Sequence, residues 1–556
     1  MTHSNPAIEQ PAEARPSGKP FLAGWRRDVV VCLSLANVLF LMEWEDLFSF
    51  RRIIAIWTIR RIAPSPIDDA AVMTAVILLA AVLFGAVRLT RERLSEGRFR
   101  LVRYSAFGLV AIPLNGQRGN VKWLIGHLNP PLFGVIGPRT GLFLMALACV
   151  PLLWLAWKYQ RRIAAFTTAT LVVLSPFCLM TFSEAVWAMA SYTGQPYHDG
   201  PLAPRLATAP PPVRVVWIVF DEWDYRLTFV DRPKSLAMPA IDRLRGESLF
   251  ATAARSPFMD TSLSLPSLIT GRRLEASINR SGSTILVAPV DRLEAQPKPW
   301  TEDTSIFAAV RKSGFNVGLV GWYFPYCRTL NGPLSECAWW PAPNESNGLR
   351  DNFLAGLMGT GFWGKVGGYS ASLLERFGWH LGQYSSTRYK AKMYLEFLAE
   401  SNRQVADPSL GLVFLHVPVP HYPNPYNRFT GRMDGRDLPI PAGYIDSLAL
   451  TDRMMGELRA TMESHGTWDH TALLISSDHP FRSSQDWDGK SDRRVPFLLR
   501  FPGRPNAAVV APQFDTILSA NLVYAILRGS VSTAAEASDW IERHRAERES
   551  PVGTEN

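Results

Sequence analysis

VRVVWIVFDE, Val213–Glu222, is the stretch on which the fold turns. Val213–Phe220 is a continuous run of apolar, mostly β-branched residues broken only by Arg214. A strand with one wet face would alternate; a run like this suits a central strand buried on both faces, as in a parallel sheet. It ends directly in Asp221 and Glu222. Carboxylates at the carboxyl end of a central strand lie where open α/β sheets hold their ligands. Buried acids need partners, and a divalent cation is a common one. Taken alone, a solvated strand end is the plainer reading.

Three later segments repeat the pattern of an apolar run delivering a reactive side chain. FMDTSLSLPSLITGRR (Phe258–Arg273) would present Thr261 at a helix start, where an anion is easily held. A threonine alcohol is a weak nucleophile until a metal or base lowers its pKa. The alternative is a helix cap, at Thr261, Ser262 or Ser264. TALLISSDHP (Thr471–Pro480) is a strand that ends in Asp478 and His479, one oxygen and one imidazole ligand. GLVFLHVPVPHYPNPY (Gly411–Tyr426) delivers His416 and His421, either of which alone is more often structural.

The first third of the chain is different. Mostly apolar runs at Val29–Trp44, Ala70–Val87, Leu101–Leu114, Gly141–Trp157 and Ile163–Phe182 each approach the roughly 20 apolar residues a membrane helix needs. Leu101–Leu114 is the weakest, with an interfacial segment as its alternative. Counting it gives five spans and puts Arg26–Arg27, RLTRERLSEGRFRLVR (Arg88–Arg103) and KYQRR (Lys158–Arg162) on one side. Lys and Arg in short loops mark the cytoplasm, so everything after the last span is expected outside. Arg51, Arg52, Arg60 and Arg61 oppose the rule; they flank IIAIWTI, which reads as a segment lying at the interface. The first span follows a polar tail without a small-residue cleavage site and reads as an anchor. The formal charge of +9 therefore belongs to membrane topology, and nucleic acid is not an expected partner. PYHDGPLAPRLATAPPP (Pro196–Pro212) is too proline-rich for a helix and reads as a stiff linker. Cys327 and Cys337 would pair in an oxidising compartment; two free core thiols are the alternative.

The order carboxylate pair, hydroxyl nucleophile, His-containing turn, Asp-His resembles the alkaline phosphatase superfamily. The likeness is to its membrane-anchored, sulfatase-like branch, which includes phosphoethanolamine and phosphoglycerol transferases. MPAIDRLRGESLFATAARSP (238–257), SIFAAVRKSGFNVGLVGW (305–322), the segment from Tyr444 to His479 and VPFLLRFPG (495–503) are similar to that family's landmarks, from Val213 to about Gly529. The resemblance implies a mostly parallel α/β sheet with helices on both faces. It also implies a metal site of Asp221, Glu222, Asp478 and His479 joined by Thr261, a phospho-threonine intermediate, and His421 at the substrate or leaving group. His416 and Lys490, the latter in DGK, would help to bind substrate. True sulfatases carry Cys or Ser within Cys-x-Pro-Ser-Arg; here Thr261 and Leu265 occupy the first and last positions, which speaks against aldehyde-based sulfate hydrolysis. Pro480 replaces the usual Gly after the Asp-His pair, and no histidine follows before Val495, so one metal is expected. Oxygen and nitrogen ligands favour zinc or manganese, with calcium also open.

The expected organisation is a cytoplasmic tail (1–27), a transmembrane domain (28–182), a linker (183–212), a catalytic domain (213–530) and a polar C-terminal helix and tail (531–556). The expected setting is a bacterial inner membrane with the catalytic domain periplasmic. A phospholipid would be the donor and a lipid or glycan the acceptor. A tethered hydrolase of soluble phosphate, sulfate or phosphonate esters, and a non-catalytic membrane scaffold, stay open as alternatives.

Overall fold

The computed structural model describes residues 24–41, 44, 47–48, 65–95, 97–99, 101–102, 138–194, 198–207, 210–279, 285–289, 298–301, 304–342, 384–433, 441–503 and 507–549. The chain divides into one unit of Met1–Trp44 with Asp69–Ser191 and a second of Glu45–Asp68 with Tyr192–Asn556.

The first unit is helical: α1 (Trp25–Leu39), α2 (Pro66–Arg93), α3 (Pro138–Val173) and α4 (Ser175–Ala190). Among the described residues, Pro66–Arg93 and Trp154–Ala190 are long and apolar enough to cross a membrane. Val82, Leu179 and Trp187 point outward from them, an arrangement suited to lipid. The expectation of five spans is not met in this form. Ala70–Val87 lies within α2, but α1, with 15 residues, is shorter than a span. KYQRR does not turn: α3 runs through it unbroken, because all five residues tolerate a helix and no Gly or Pro interrupts them. α4 continues past Phe182 to Ala190 through SEAVWAMA, again without a breaker. Most of Leu101–Leu114, and IIAIWTI, lie outside the described residues.

The second unit is built on one sheet of eight strands. These are β1 (Arg214–Asp221), β2 (Leu249–Ala251), β3 (Asn316–Trp322), β4 (Glu336–Trp340), β5 (Leu410–Pro420), β6 (Thr471–Ser477), β7 (Phe497–Arg500) and β8 (Ala508–Val510). They lie in the order β8-β2-β7-β6-β1-β5-β3-β4. β7 alone runs against the others. β1 is central, as its near-continuous apolar run requires. Val215, Trp217 and Val219 face one core, and Val216, Ile218 and Phe220 face the other. Full burial of each such side chain is worth about 1.5–3 kcal/mol.

The first core is closed by α6 (Thr261–Thr270), α7 (Ile306–Lys312), α10 (Ser519–Leu527) and α11 (Ala534–Glu549). The second is closed by α5 (Pro239–Gly246), α8 (Tyr384–Ala406) and α9 (Ala442–Ser464). The unit is therefore an α/β/α sandwich with a mostly parallel sheet. Residues 198–207 of the proline-rich segment are docked on this unit. Gly200 N–H donates to the Cys327 carbonyl and Ala203 N–H to that of Leu334, both at 2.8 Å. The Asn316 amide side chain bonds both the N–H and the carbonyl of Leu206. Cys327 and Cys337 form a disulfide that ties the short helix Tyr326–Thr329 to β4.

Gly321, inside β3, leaves room for the Tyr326 ring. A Cβ there would fall 2.4 Å from two of its carbons. Gly321→Ala should therefore cost about 1–3 kcal/mol through overpacking, read as a lowered unfolding midpoint of the purified full-length protein in denaturant. An unchanged midpoint would refute this account of the packing.

Candidate active site

Parallel alignment of β1 with β6 pairs Phe220 with Ser477 and so delivers Asp221 and Asp478 side by side at the carboxyl edge of the sheet. Ser477 stitches the two ends together: its hydroxyl donates to the Phe220 carbonyl at 2.9 Å and accepts from Trp223 N–H at 2.8 Å. On the other side of β1, the register with β5 shifts between Phe220 and Asp221, a bulge that re-aims the acid.

Asp221, Asp478 and His479 are buried and offer ligand atoms within 4.8 Å of one another. His479 Nε2 lies 3.5 Å from Asp221 Oδ1 and 3.7 Å from Asp478 Oδ2. Both carboxylate oxygens lack a hydrogen-bond partner. The Pro480 carbonyl, 2.9 Å from Nδ1, accepts from that nitrogen, so Nε2 is the ring atom directed toward the acids. Burial, then the charges of Asp478 and Glu222, hold the Asp221 carboxyl well above its ordinary range; burial raises Asp478 as well. Orphaned oxygens, an imidazole nitrogen and crowded acids make a donor set that fits a divalent cation.

Thr261 completes the cluster. It is the first residue of α6, and its Oγ1 lies 3.2 Å from His479 Nε2. The cap of that helix is Asp260, whose carboxylate accepts from Ser262 N–H at 2.7 Å. Ser262 Oγ also bonds Asp260, and Ser264 Oγ bonds the Phe258 carbonyl. The capping reading of Thr261 thus gives way: Asp260 caps the helix, the Ser262 hydroxyl bonds that cap, the Ser264 hydroxyl bonds the backbone, and the Thr261 hydroxyl faces His479. Leu265 is fully buried in the first core.

Glu222 is not part of the cluster of Asp221, Asp478 and His479. Its backbone has φ 67°, a left-handed conformation costly for a non-glycine residue. Tyr444 hydroxyl donates to its carbonyl at 2.6 Å, and Asp478 Oδ1 accepts from its N–H at 3.1 Å. Its carboxylate instead accepts from Arg482 Nε at 3.1 Å and lies 3.9 Å from His421 Nε2. Burial pushes Glu222 up, but its neighbours His421, His479 and Arg482, with the Arg482 hydrogen bond, leave it below its ordinary value.

His421 Nδ1 bonds the Tyr422 carbonyl, and burial pulls its pKa down to about 4, against the pull of Glu222. His416 is completely buried, 2.8 Å from the Tyr326 hydroxyl and 3.0 Å from the Trp322 carbonyl, away from solvent. Lys490 is not brought to the cluster either. Its ammonium donates to Asp231 at 3.1 Å within a network of Arg226 and Asp488.

Sequence reading missed two cations. Lys390, on α8, is buried with its ammonium 2.6 Å from the Pro418 carbonyl and 3.9 Å from the Trp322 ring centre. Burial lowers its pKa to about 7, opposed by Asp221 and Glu222. Nothing marks it along an otherwise ordinary polar helix. Arg482, three residues after His479, belongs to no motif.

A sulfatase family model matches residues 214–528. Solved structures similar to the chain include the sulfatase PsFucS1 from Pseudoalteromonas sp., with TM-score 0.40 and 15% identity over 57% of this chain and 68% of that one. The phosphonate monoester hydrolase of Agrobacterium radiobacter has TM-score 0.35 and 15% identity over 57% and 74%. The lipoteichoic acid synthase LtaP from Listeria monocytogenes has TM-score 0.35 and 11% identity over 57% and 72%. No curated protein matches the chain.

The geometry sets Asp221 and Asp478 with His479 and leaves Glu222 on Arg482. Asp221→Asn and Asp478→Asn should sharply lower the metal content of purified, metal-reconstituted protein measured by mass spectrometry. Glu222→Gln should leave most of it. Loss of metal in Glu222→Gln as complete as in Asp478→Asn would return Glu222 to the ligand set.

Proposed function

The chain belongs to the sulfatase family, whose members are metal-dependent hydrolases and transferases of phosphate and sulfate esters, and from that premise we propose that it cleaves a phosphodiester through a phospho-threonine intermediate on Thr261. The observation that carries this reading is the Thr261 hydroxyl, excluded from helix capping and set against His479 beside Asp221 and Asp478. Those three residues and the threonine oxygen would hold the metal, which when bound supplies Lewis acidity to the alcohol and to the transferred group.

The chain's own groups do the rest. The N-terminus of α6 favours negative charge on the attacking oxygen and on the phosphoryl group. A bond forms between Thr261 Oγ1 and phosphorus as the bond from phosphorus to the leaving oxygen breaks. His421, held neutral, accepts the proton released by attack and hands it to the departing oxygen. Water or an acceptor hydroxyl then opens the phospho-threonine, with the same imidazole moving the proton, and Thr261 regains its alcohol. Water makes the enzyme a hydrolase, and an acceptor alcohol makes it a transferase. Threonine cannot be oxidised to the aldehyde that sulfate-ester hydrolysis uses in true sulfatases, which favours phosphorus as the centre attacked.

We further place the catalytic unit outside the cytoplasm, beside a membrane whose phospholipid head groups or glycans supply donor and acceptor. The apolar helices Pro66–Arg93 and Trp154–Ala190 and the Cys327–Cys337 disulfide support this setting. A reporter fused after Pro212 should be active only when it functions outside; activity confined to a cytoplasmic reporter would reverse the placement.

Thr261→Ala should abolish turnover of a chromogenic phosphodiester, and any covalent phospho-adduct, while membrane insertion and expression persist. Thr261→Ser keeps the oxygen and should retain part of the rate. A helix cap would cost only about 0.5–2 kcal/mol of stability on its loss and spare the chemistry. Near-normal turnover by Thr261→Ala therefore defeats the mechanism.

A further inference from the structure

We infer that Arg482 is the guanidinium that grips the anionic oxygens of the transferred group, held in place for that task by Glu222. This rests on the reading of Thr261 as nucleophile and adds a substrate contact to it. Arg482 contacts two acids of the site. Its Nε and backbone N–H donate to Glu222 Oε1 at 3.1 and 3.3 Å, and its Nη1 lies 3.6 Å from Asp260 Oδ2. Glu222 follows the ligand Asp221, and Asp260 precedes the nucleophile Thr261, so the guanidinium bridges the two halves of the catalytic cluster.

Two features make this more than charge neutralisation. First, the guanidinium is not used up. Of its donors, Nη2 has no partner among the described residues, and the side chain is 46% exposed. A planar fork with a free edge is suited to a tetrahedral oxyanion. Second, Lys390 and Lys490 have other partners. α6 carries no charged residue. Lys390 is sealed beneath Trp322, its ammonium on the Pro418 carbonyl, and Lys490 is committed to Asp231.

Glu222 is then a positioning residue. Its left-handed backbone is fixed by Tyr444 and Asp478, and that conformation turns the carboxylate away from the ligand cluster and onto Arg482. An anion arriving over Thr261 would find the helix N-terminus on one side and the free edge of Arg482 on the other.

The test uses full-length, metal-loaded protein in detergent, with inorganic phosphate, sulfate and phenylphosphonate as probes in calorimetry. Wild type should bind at least phosphate or phenylphosphonate. Arg482→Ala should raise those dissociation constants about 10- to 100-fold, the loss expected for a charge-assisted hydrogen bond, with metal content unchanged. Arg482→Lys keeps the charge but not the fork, and should weaken binding by an intermediate factor. Should Arg482→Ala fail to fold, the lysine variant decides, because a mere neutraliser of Glu222 would be fully replaced by lysine. Wild-type affinity in Arg482→Lys, or in a metal-retaining Arg482→Ala, overturns the inference and leaves the Thr261 mechanism standing. Failure of the metal-loaded wild type to bind any of the three oxyanions would instead remove the phosphoryl-transfer reading on which it rests.

Discussion

Three carboxylates, Asp221, Glu222 and Asp478, are buried together at the ends of two adjacent parallel strands, and the arrangement of the catalytic unit answers the cost of that crowding. Unpaired buried charge is among the most expensive features a fold can hold. Here the compensation is divided. Asp221 and Asp478 keep unpartnered oxygens beside His479 Nε2, an invitation to a cation. Glu222 is satisfied by Arg482 and lies near His421, and Lys390 places a buried ammonium in the field of Asp221 and Glu222. Removing any one of these partners would leave a carboxylate exposed to low dielectric with too little opposing charge.

The sheet makes such crowding tolerable because its centre is rigid. β1 is buried on both faces and paired on both edges, so the positions of Asp221 and Asp478 follow from the register of Phe220 with Ser477 and leave little freedom. The strain at Glu222 is held in the same way, by Tyr444 from α9 and Asp478 from the strand end. A loop would relax such a conformation; a close-packed core cannot do so without opening.

Much of this was legible in sequence because parallel, doubly buried strands write themselves as near-continuous apolar runs. Val213–Phe220 and Thr471–Ser477 could be read as strands, and the acids after them as a cluster, without knowing which strands were neighbours. Glu222 shows where such reading stops. Adjacent acids look equivalent in a sequence, and only backbone conformation decides which one turns toward the ligand cluster. Arg482 and Lys390 were illegible for a related reason: each approaches the site from a different element, and neither sits in a pattern whose spacing reports its target. In the helical unit the apolar lengths were readable, but helix breaks were not, since a charged stretch such as KYQRR interrupts hydropathy without interrupting a helix.

The choice of threonine at position 261 follows from the same economy of freedom. Serine would offer the same oxygen, yet an unbranched Cβ lets that oxygen visit more rotamers, including capping orientations toward the backbone amides at a helix start. Asp260 already occupies the capping role, and the β-methyl of threonine limits the χ1 rotamers open to a hydroxyl that lies 3.2 Å from His479 Nε2. Orientation of this kind is worth most when the attacking group is a weak nucleophile, because little rate is available from its intrinsic reactivity and much from holding it in line. The residue type at Thr261 and the capping residue before it therefore act as a pair, one directing the oxygen and the other removing the competing use for it.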